Sequence, residues 1–386
     1  MTTFFYRSLA KAAGLTEVNP GQEINVRVDL ILAHDGTCPK LLKVWESGNT
    51  MVDGTRVLVT VDHAFPAPTP QDRAFQKQLA EFAGTHGCTL YNQGEGVLHQ
   101  VVAEKVSLRP GMIIAGADGH VATSGAYGAL AFALTPEDLI PVLTTGLLTL
   151  KVAEVFAIEL QGSLKQGTLA RDVALYIIGK LGQEIRSKAV ALTGSFLTEL
   201  SPADRMTICN LLPEAGVVTA FVVPEGEEPG PVGKCIEVDD IEPMIAVPPE
   251  PTLVKPVKDL AGTAITVAIA GGCSAGRLQD MEVIAEVLAD KPVHPNVTFI
   301  VTPASRQVAK EMDEKGISAL LRERGAIILP PGCGPCPGKH FGVLAPGDIA
   351  VTTTVRNTPG RIGSTEAEIY LASPLTVARS AIKGQI

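Results

Sequence analysis

Aromatic residues make up only 4% of this 386-residue chain, with a single tryptophan, Trp45. A core short of large rings must be closed by small side chains and by backbones that approach closely, which agrees with 38 glycines and with packed α/β layers. Charge is also sparse, at 19% against 46% apolar residues. A disordered chain shows the opposite balance and is excluded. Positive charge is the scarcer sign: 32 Lys and Arg against 41 Asp and Glu give a net charge of −9. That excludes a general electrostatic nucleic-acid binder. No apolar run suits a bilayer span. The most apolar stretch, 119–150, is split by Glu137 and Asp138 and broken by glycines and prolines, so it is expected to be buried core. No basic, apolar leader opens the chain, which sets the expectation of a cytoplasmic protein with no membrane partner. Seven cysteines is an odd number, and a chain of this size needs no disulfide staples. Reduced thiols, some of them metal ligands, fit better.

The length exceeds the roughly 250–300 residues at which one hydrophobic core stops growing, so two or three domains are expected. The clearest seam is 223–258, where eight prolines and several like charges disfavour regular structure and suggest a crossing between domains. Before it, Val57–Val61 and Met112–Ala115 are short apolar runs that read as buried parallel strands ending in polar loops. After it the pattern is βαβ. Ile265–Ala270 is a strand, GGCSAG a turn, Leu278–Leu288 a helix, Val297–Val301 a strand, Ser305–Glu314 a helix and Ala326–Leu329 a strand. The class is α/β.

In open parallel sheets, ligands bind beyond the carboxyl ends of the strands. The unusual residues gather there. One strand runs into Asp62-His63, another into Asp118-Gly119-His120, a third into Cys273, a fourth into PGCGPCPG and a fifth into Val355-Arg356-Asn357. Five such endings point to one shared site. Asp62-His63 and Asp118 with His120 can form carboxylate–imidazole pairs, which fix the ring tautomer and raise its basicity for proton transfer, and His99 is a further candidate. His86, His294 and His340 are read as making local hydrogen bonds only.

Cys333 and Cys336 form C-x-x-C, and Cys273 stands alone after its own strand. A thioredoxin-like dithiol needs a helix starting at the first cysteine, and Pro337-Gly338 opposes one. A structural zinc site needs a fourth Cys or His, and no second close pair is evident. Three thiolates in glycine-rich turns suit an iron–sulfur cluster, which leaves one iron without a protein ligand. Cys38, Cys88, Cys209 and Cys235 are scattered singly and read as small buried hydrophobes. Arg356 and Arg361 suit a substrate that carries carboxylates.

Together these motifs resemble the large chain of the aconitase superfamily, especially the bacterial and archaeal 3-isopropylmalate dehydratase and homoaconitase branch. The resemblance runs in order through DLILAHDGT, DHAFPAP, GEGVLHQVVAE, PGMIIAGADGH, GAYGALAFAL, DRMTICNLLPEAG, GGCSAGRLQD, PGCGPCPG and VRNTPGRIG. It implies three α/β domains, 1–154, 155–232 and 233–386, around a central cluster site. It implies a [4Fe-4S] cluster on Cys273, Cys333 and Cys336, whose open iron binds a hydroxy-carboxylate substrate. Asp62, His63, His99, Asp118 and His120 would then assist proton traffic and hydroxyl departure, with Asn210 touching the cluster and Glu214 as the active-site glutamate. Arg356 and Arg361 match the arginines for substrate carboxylates. The family's fourth, swivelling domain carries a serine base and belongs to a separate small subunit in this branch. It is expected to be absent here, leaving the isolated chain nearly inactive. The implied activity is a hydro-lyase of the 3-isopropylmalate dehydratase kind. A dehydratase of another branched hydroxyacid, citramalate-like or dimethylmalate-like, and a C-x-x-C dithiol redox protein are the alternatives. The family's Asp-Ser-His, Cys-Thr-Asn and Asn-Arg-Asn are here changed at Gly119, at Ser274-Ala275 and at Val355. These changes bear on the substrate.

Overall fold

The structure, a computed structural model, describes residues 3–45 and 48–386. Three main sheets follow one another along the chain. The first has five parallel strands, in spatial order Thr89–Tyr91, Val57–Thr60, Leu30–His34, Ile113–Gly116 and Leu130–Ala133. Its three central strands are buried at every position, as required of strands covered on both faces. Order reverses between Leu30–His34 and Ile113–Gly116, so a crevice opens above their carboxyl ends. Helices on the flanks start and stop on local signals. Pro70–His86, for example, begins with the Thr69 hydroxyl accepting from the Asp72 N–H and ends at the left-handed Gly87.

The second sheet orders Thr219–Val222, Ala189–Thr193, Val155–Gln161 and Val232–Glu237, all parallel. The third holds five parallel strands in the order Ile327–Ile328, Thr298–Thr302, Val267–Gly271, Ile349–Thr352 and Glu368–Ala372. Met244–Ala246 and Val254–Pro256 extend it with antiparallel pairs. Numbered along the chain, both the first sheet and the parallel part of the third read 3-2-1-4-5. The helix Ala170–Ile185 is apolar nearly all round and buried accordingly. It packs on the helix Pro202–Leu211 and on Met244–Ala246 and Val254–Pro256, which locks the second sheet to the third. One continuous core runs from Ile158 and Leu181 through Leu211 to Ile269, Val355 and Leu371.

Two expectations change. The proline-rich stretch 223–258 is not irregular: it carries the strands Val232–Glu237, Met244–Ala246 and Val254–Pro256. Its prolines stand between strands or, at Pro256, at the end of an edge strand, where no ladder donor is lost. The division drawn at 232/233 likewise moves, because Val232–Glu237 pairs with Val155–Gln161. The crossing to the third sheet lies between Glu237 and Met244. Segment 119–150 forms short helices and strands; 119–132 is buried almost throughout, as expected, whereas 133–150 alternates between buried and exposed positions. Among the described residues, no helix is long and apolar enough to cross a membrane.

Candidate active site

The carboxyl ends of the first and third sheets bring the strand-end residues together, and the second sheet's helix adds two more. Asp62 is 1% exposed. Its Oδ1 lies 2.6 Å from His63 Nδ1, and its Oδ2 accepts the Leu98 N–H at 2.7 Å. Burial alone would pull the His63 ring down, but the charge and hydrogen bond of Asp62 outweigh it and raise the ring to about 9. Burial likewise opposes ionisation of Asp62, yet His63 and His34 hold that carboxyl down at about 2.

Asp118 is the second centre. Its Oδ1 meets His99 Nε2 at 2.9 Å and accepts the His120 N–H at 2.6 Å, and its Oδ2 meets His34 Nε2 at 3.1 Å. Burial opposes its charge, but His99 and His34 overcome this and hold it well below the ordinary range. His120 turns its Nε2 to Glu214 Oε1 at 2.6 Å. Glu214 also accepts both bonds from Arg356 Nε, at 2.9 and 3.1 Å. Burial would lift the Glu214 carboxyl, and His120 and Arg356 bring it below its usual value instead.

His34 and Asp35 belong to this site, although their sequence signal, a His-Asp pair closing the apolar run LILA, was not assigned a role. Nδ1 of His34 accepts the Gly36 N–H, so its proton sits on Nε2 and faces Asp118. The ring stacks on His63, with centroids 4.0 Å apart. Asp35 accepts three consecutive backbone N–H groups, from Asp62, His63 and Ala64, at 2.9–3.0 Å. It sets the shape of the loop that carries the Asp62–His63 pair.

The thiols converge beside this network. Cys273, Cys333 and Cys336 line one small pocket with Gly271, Gly272, Ser274, Thr354 and Val355. Tight backbone makes it possible. Gly271 has φ +125° and Gly334 φ +56°, and a Cβ at either would collide with Thr302. GGCSAG is not a plain turn: Gly272–Ala275 forms a single helical turn, which presents the Cys273 thiol. PGCGPCPG stays non-helical. The Cys333 N–H bonds the Asp62 carbonyl at 3.0 Å, and its Sγ lies 3.7 Å from His63 Nδ1. Cys273 Sγ meets Asn210 Oδ1 at 3.8 Å, while Asn210 Nδ2 donates to Thr123. Arg361 Nη2 donates to Cys336 Sγ at 3.6 Å, so this arginine faces a thiol whereas Arg356 faces Glu214.

Burial raises Cys273 to about 12, with the Cys336 charge adding to it, and carries Cys333 well above its ordinary value. No helix starts at Cys333 to lower its thiol, and burial raises it instead, which counts against the dithiol alternative. A sulfur-bound metal group fits the donor set. Soft donors share a buried pocket, the Asn210 amide and the Arg361 guanidinium face two of them, and the Asn357 amide, 1% exposed, has neither end partnered.

The remaining residues are more ordinary. His86 packs on Trp45 and Phe82, and His294 Nδ1 accepts the Asn296 N–H. The His340 ring lies against Phe341. Cys38 and Cys209 are buried as expected, but Cys88 is only partly covered and Cys235 is exposed on the edge strand Val232–Glu237. Of the three departures, Val355 lines the thiol pocket, Gly119 abuts Arg356, and Ala275 is fully buried.

The carboxyl ends of two parallel sheets thus gather buried carboxylate–imidazole pairs, two arginines and three sulfur donors into one cluster of the kind an enzyme site requires. The model of the aconitase family (aconitate hydratase) matches residues 9–228 and 234–384. A probable methanogen homoaconitase large subunit of Methanothermobacter thermautotrophicus is 38% identical, over 98% of this chain and 95% of its own length. The 3-isopropylmalate dehydratase large subunit 1 of Methanopyrus kandleri is also 38% identical, over 100% of this chain and 98% of its own. The chain belongs to the aconitase family. The crystal structure of aconitase X from Thermococcus kodakaraensis shares the fold, with a TM-score of 0.57 at 14% identity over 92% of this chain and 90% of that one.

Proposed function

We propose that this chain is the large subunit of an iron–sulfur hydro-lyase that dehydrates or isomerises a hydroxylated di- or tricarboxylic acid, in the manner of 3-isopropylmalate dehydratase. The observation that carries the proposal is the junction of Cys333 with the Asp62–His63 pair, which puts a sulfur donor and a charged imidazole side by side. Cys273, Cys333 and Cys336 would hold a [4Fe-4S] cluster. When bound, it supplies a Lewis-acidic iron that has no protein ligand and is open to the substrate's hydroxyl and carboxylate.

The chain's own groups do the rest. With its ring raised to about 9, His63 is an imidazolium at neutral pH, and Asp62 holds its Nδ1, so Nε2 is the proton it can give to a departing hydroxyl. Asp118 orients the His99 and His34 rings through their Nε2 atoms. Glu214 spends both oxygens on Arg356 Nε, which leaves the Nη groups for a substrate carboxylate. Gly119 gives that guanidinium room, since a Cβ there would lie 2.9 Å from Nη2. Arg361 serves the second carboxylate or the Cys336 thiolate it faces. The base that takes the carbon-bound proton is assigned to a small subunit with the swivelling domain.

Gly119, Ala275 and Val355 replace a serine and two asparagines of the family pattern, so the cavity carries fewer polar donors. A donor left unpaired costs about 1–3 kcal/mol, and a pocket without such donors stops rejecting apolar substituents. A branched, aliphatic hydroxydicarboxylate is therefore the proposed substrate. The test reconstitutes both subunits without oxygen and compares citrate, homocitrate, 3-isopropylmalate and dimethylmalate. Preference for a branched acid is expected. Preference for citrate or homocitrate overturns the pocket argument, and full turnover by the large chain alone overturns the two-subunit assignment.

A further inference from the structure

Two arginines that this chemistry leaves unused are buried at the back of the thiol pocket. Arg171 is 1% exposed and Arg277 3%. Arg171, on the helix Ala170–Ile185, donates Nη1 to Ser274 Oγ at 2.9 Å and Nη2 to the Thr354 carbonyl at 2.5 Å. Arg277 donates Nη2 to the Cys273 carbonyl at 2.7 Å and Nη1 to Thr207 Oγ1 at 3.0 Å. Every one of these acceptors is neutral, and Nε of each arginine is buried without a partner. Cys273, Ser274 and Thr354 all line the pocket.

A buried guanidinium needs a counter-charge, because desolvation costs several kcal/mol per ion. Among the described residues neither arginine forms an ion pair with a carboxylate. Two acids supply counter-charge without direct contact, Asp280 to both arginines and Asp172 to Arg171, and backbone N–H groups hold each carboxylate in place. Asp280 accepts from Arg277, and Asp172 from Leu169 and Met244. Cys273 acts electrostatically on both arginines and Cys336 on Arg171, so a thiolate-bound group in the pocket adds counter-charge to that of the two acids.

We propose that Arg171 and Arg277 are positioning residues for the cluster. They form an electropositive floor that fixes the Cys273 and Thr354 backbones and balances the charge of the thiolate-ligated group. The inference rests on the proposed function, since it needs a cluster in that pocket. Both arginines act through the sulfur donors and their backbone and need not touch substrate. Removing one positive charge should loosen the group and make it harder to reduce, because net charge and hydrogen bonding around the sulfurs set both properties.

The experiment reconstitutes the wild type, Arg171→Met, Arg277→Gln, Arg171→Lys and Arg277→Lys without oxygen. It measures iron and sulfide per chain, the rate of bleaching by a chelator, the reduction potential, and the melting temperature before and after reconstitution. The neutral variants should bleach about 10–100-fold faster, with a more negative potential and a smaller melting-temperature gain on reconstitution. The lysine variants should stay near wild type. If Arg171→Met does not fold, Arg277→Gln against Arg277→Lys decides. A wild type that takes up no cluster overturns the proposed function. A wild-type cluster with the same bleaching rate and potential in the neutral variants overturns this inference alone, even if those variants melt earlier.

Discussion

Replacing Asp35 with asparagine tests how the loop carrying the Asp62–His63 pair is held. The side chain is 2% exposed, and its two oxygens accept from Asp62, His63 and Ala64. Asparagine keeps the shape and one oxygen. Two N–H groups can keep an acceptor, while the third faces an NH2 group and is left buried and unpaired. Losing one hydrogen bond to a charged acceptor costs about 1.5–3 kcal/mol. At about 1.4 kcal/mol per factor of ten, local opening of 62–64 becomes roughly 10–100-fold more frequent. Native-state hydrogen exchange on the amides of 62–64 reads this directly. The Cys333 amide, bonded to the Asp62 carbonyl, should lose protection with them, and the helix Leu278–Leu288 should not. Unchanged protection at 62–64 would refute the role given to Asp35.

Gly119→Ser should displace the Arg356 guanidinium, because the added Cβ would lie 2.9 Å from Nη2. A flexible side chain absorbs this with little loss of stability, so KM for a dicarboxylate should rise while the melting temperature stays within a few degrees, as paired kinetics and calorimetry can check. Glu214→Gln removes a carboxylate held below 4.5, and a depressed carboxyl stabilises the fold above its unfolded value and loses that contribution as pH falls beneath it. The wild-type advantage in denaturant midpoint should thus be level from neutral pH to about 4.5 and shrink below it. Cys336→Ser should bleach anaerobically reconstituted protein, and full iron and sulfide content after loss of all three thiols would end the cluster assignment.

The sequence displayed its chemistry better than its architecture. Asp62, Asp118, Cys273 and Arg356 each follow an apolar run, and that local pattern alone put them on strand ends. The helix Leu278–Leu288 was legible to the residue because its apolar spacing and its boundaries agree. Strand order was not, since hydrogen-bond partners such as Leu32 and Leu58 leave no trace in either segment. Nor did any repeat betray that the first and third sheets share one order, because strand order depends on crossovers and not on side-chain identity. The prolines of 223–258 misled for a simpler reason: all but Pro256 stand between short strands, where no ladder hydrogen bond is lost. Asp35 escaped notice because its partners are backbone N–H groups, which every sequence contains. Arg171 gave no signal, because Ser274 and Thr354, the residues it bonds, stand 103 and 183 positions further along the chain.

His63 and Cys333 touch across 270 residues of chain. At synthesis rates of about 5–20 residues per second, the ribosome delivers the first partner roughly 15–50 s before the second. During that interval the imidazole half of the site exists and the sulfur half does not. Iron or sulfide arriving then would find no complete set of the proposed donors, so loading of the proposed cluster would follow release of the last third of the chain. A message truncated or stalled before Cys333 would yield a polypeptide whose first sheet folds yet whose Asp62–His63 pair faces solvent. Such a product should be brownless from the outset and would be an early target for proteolysis.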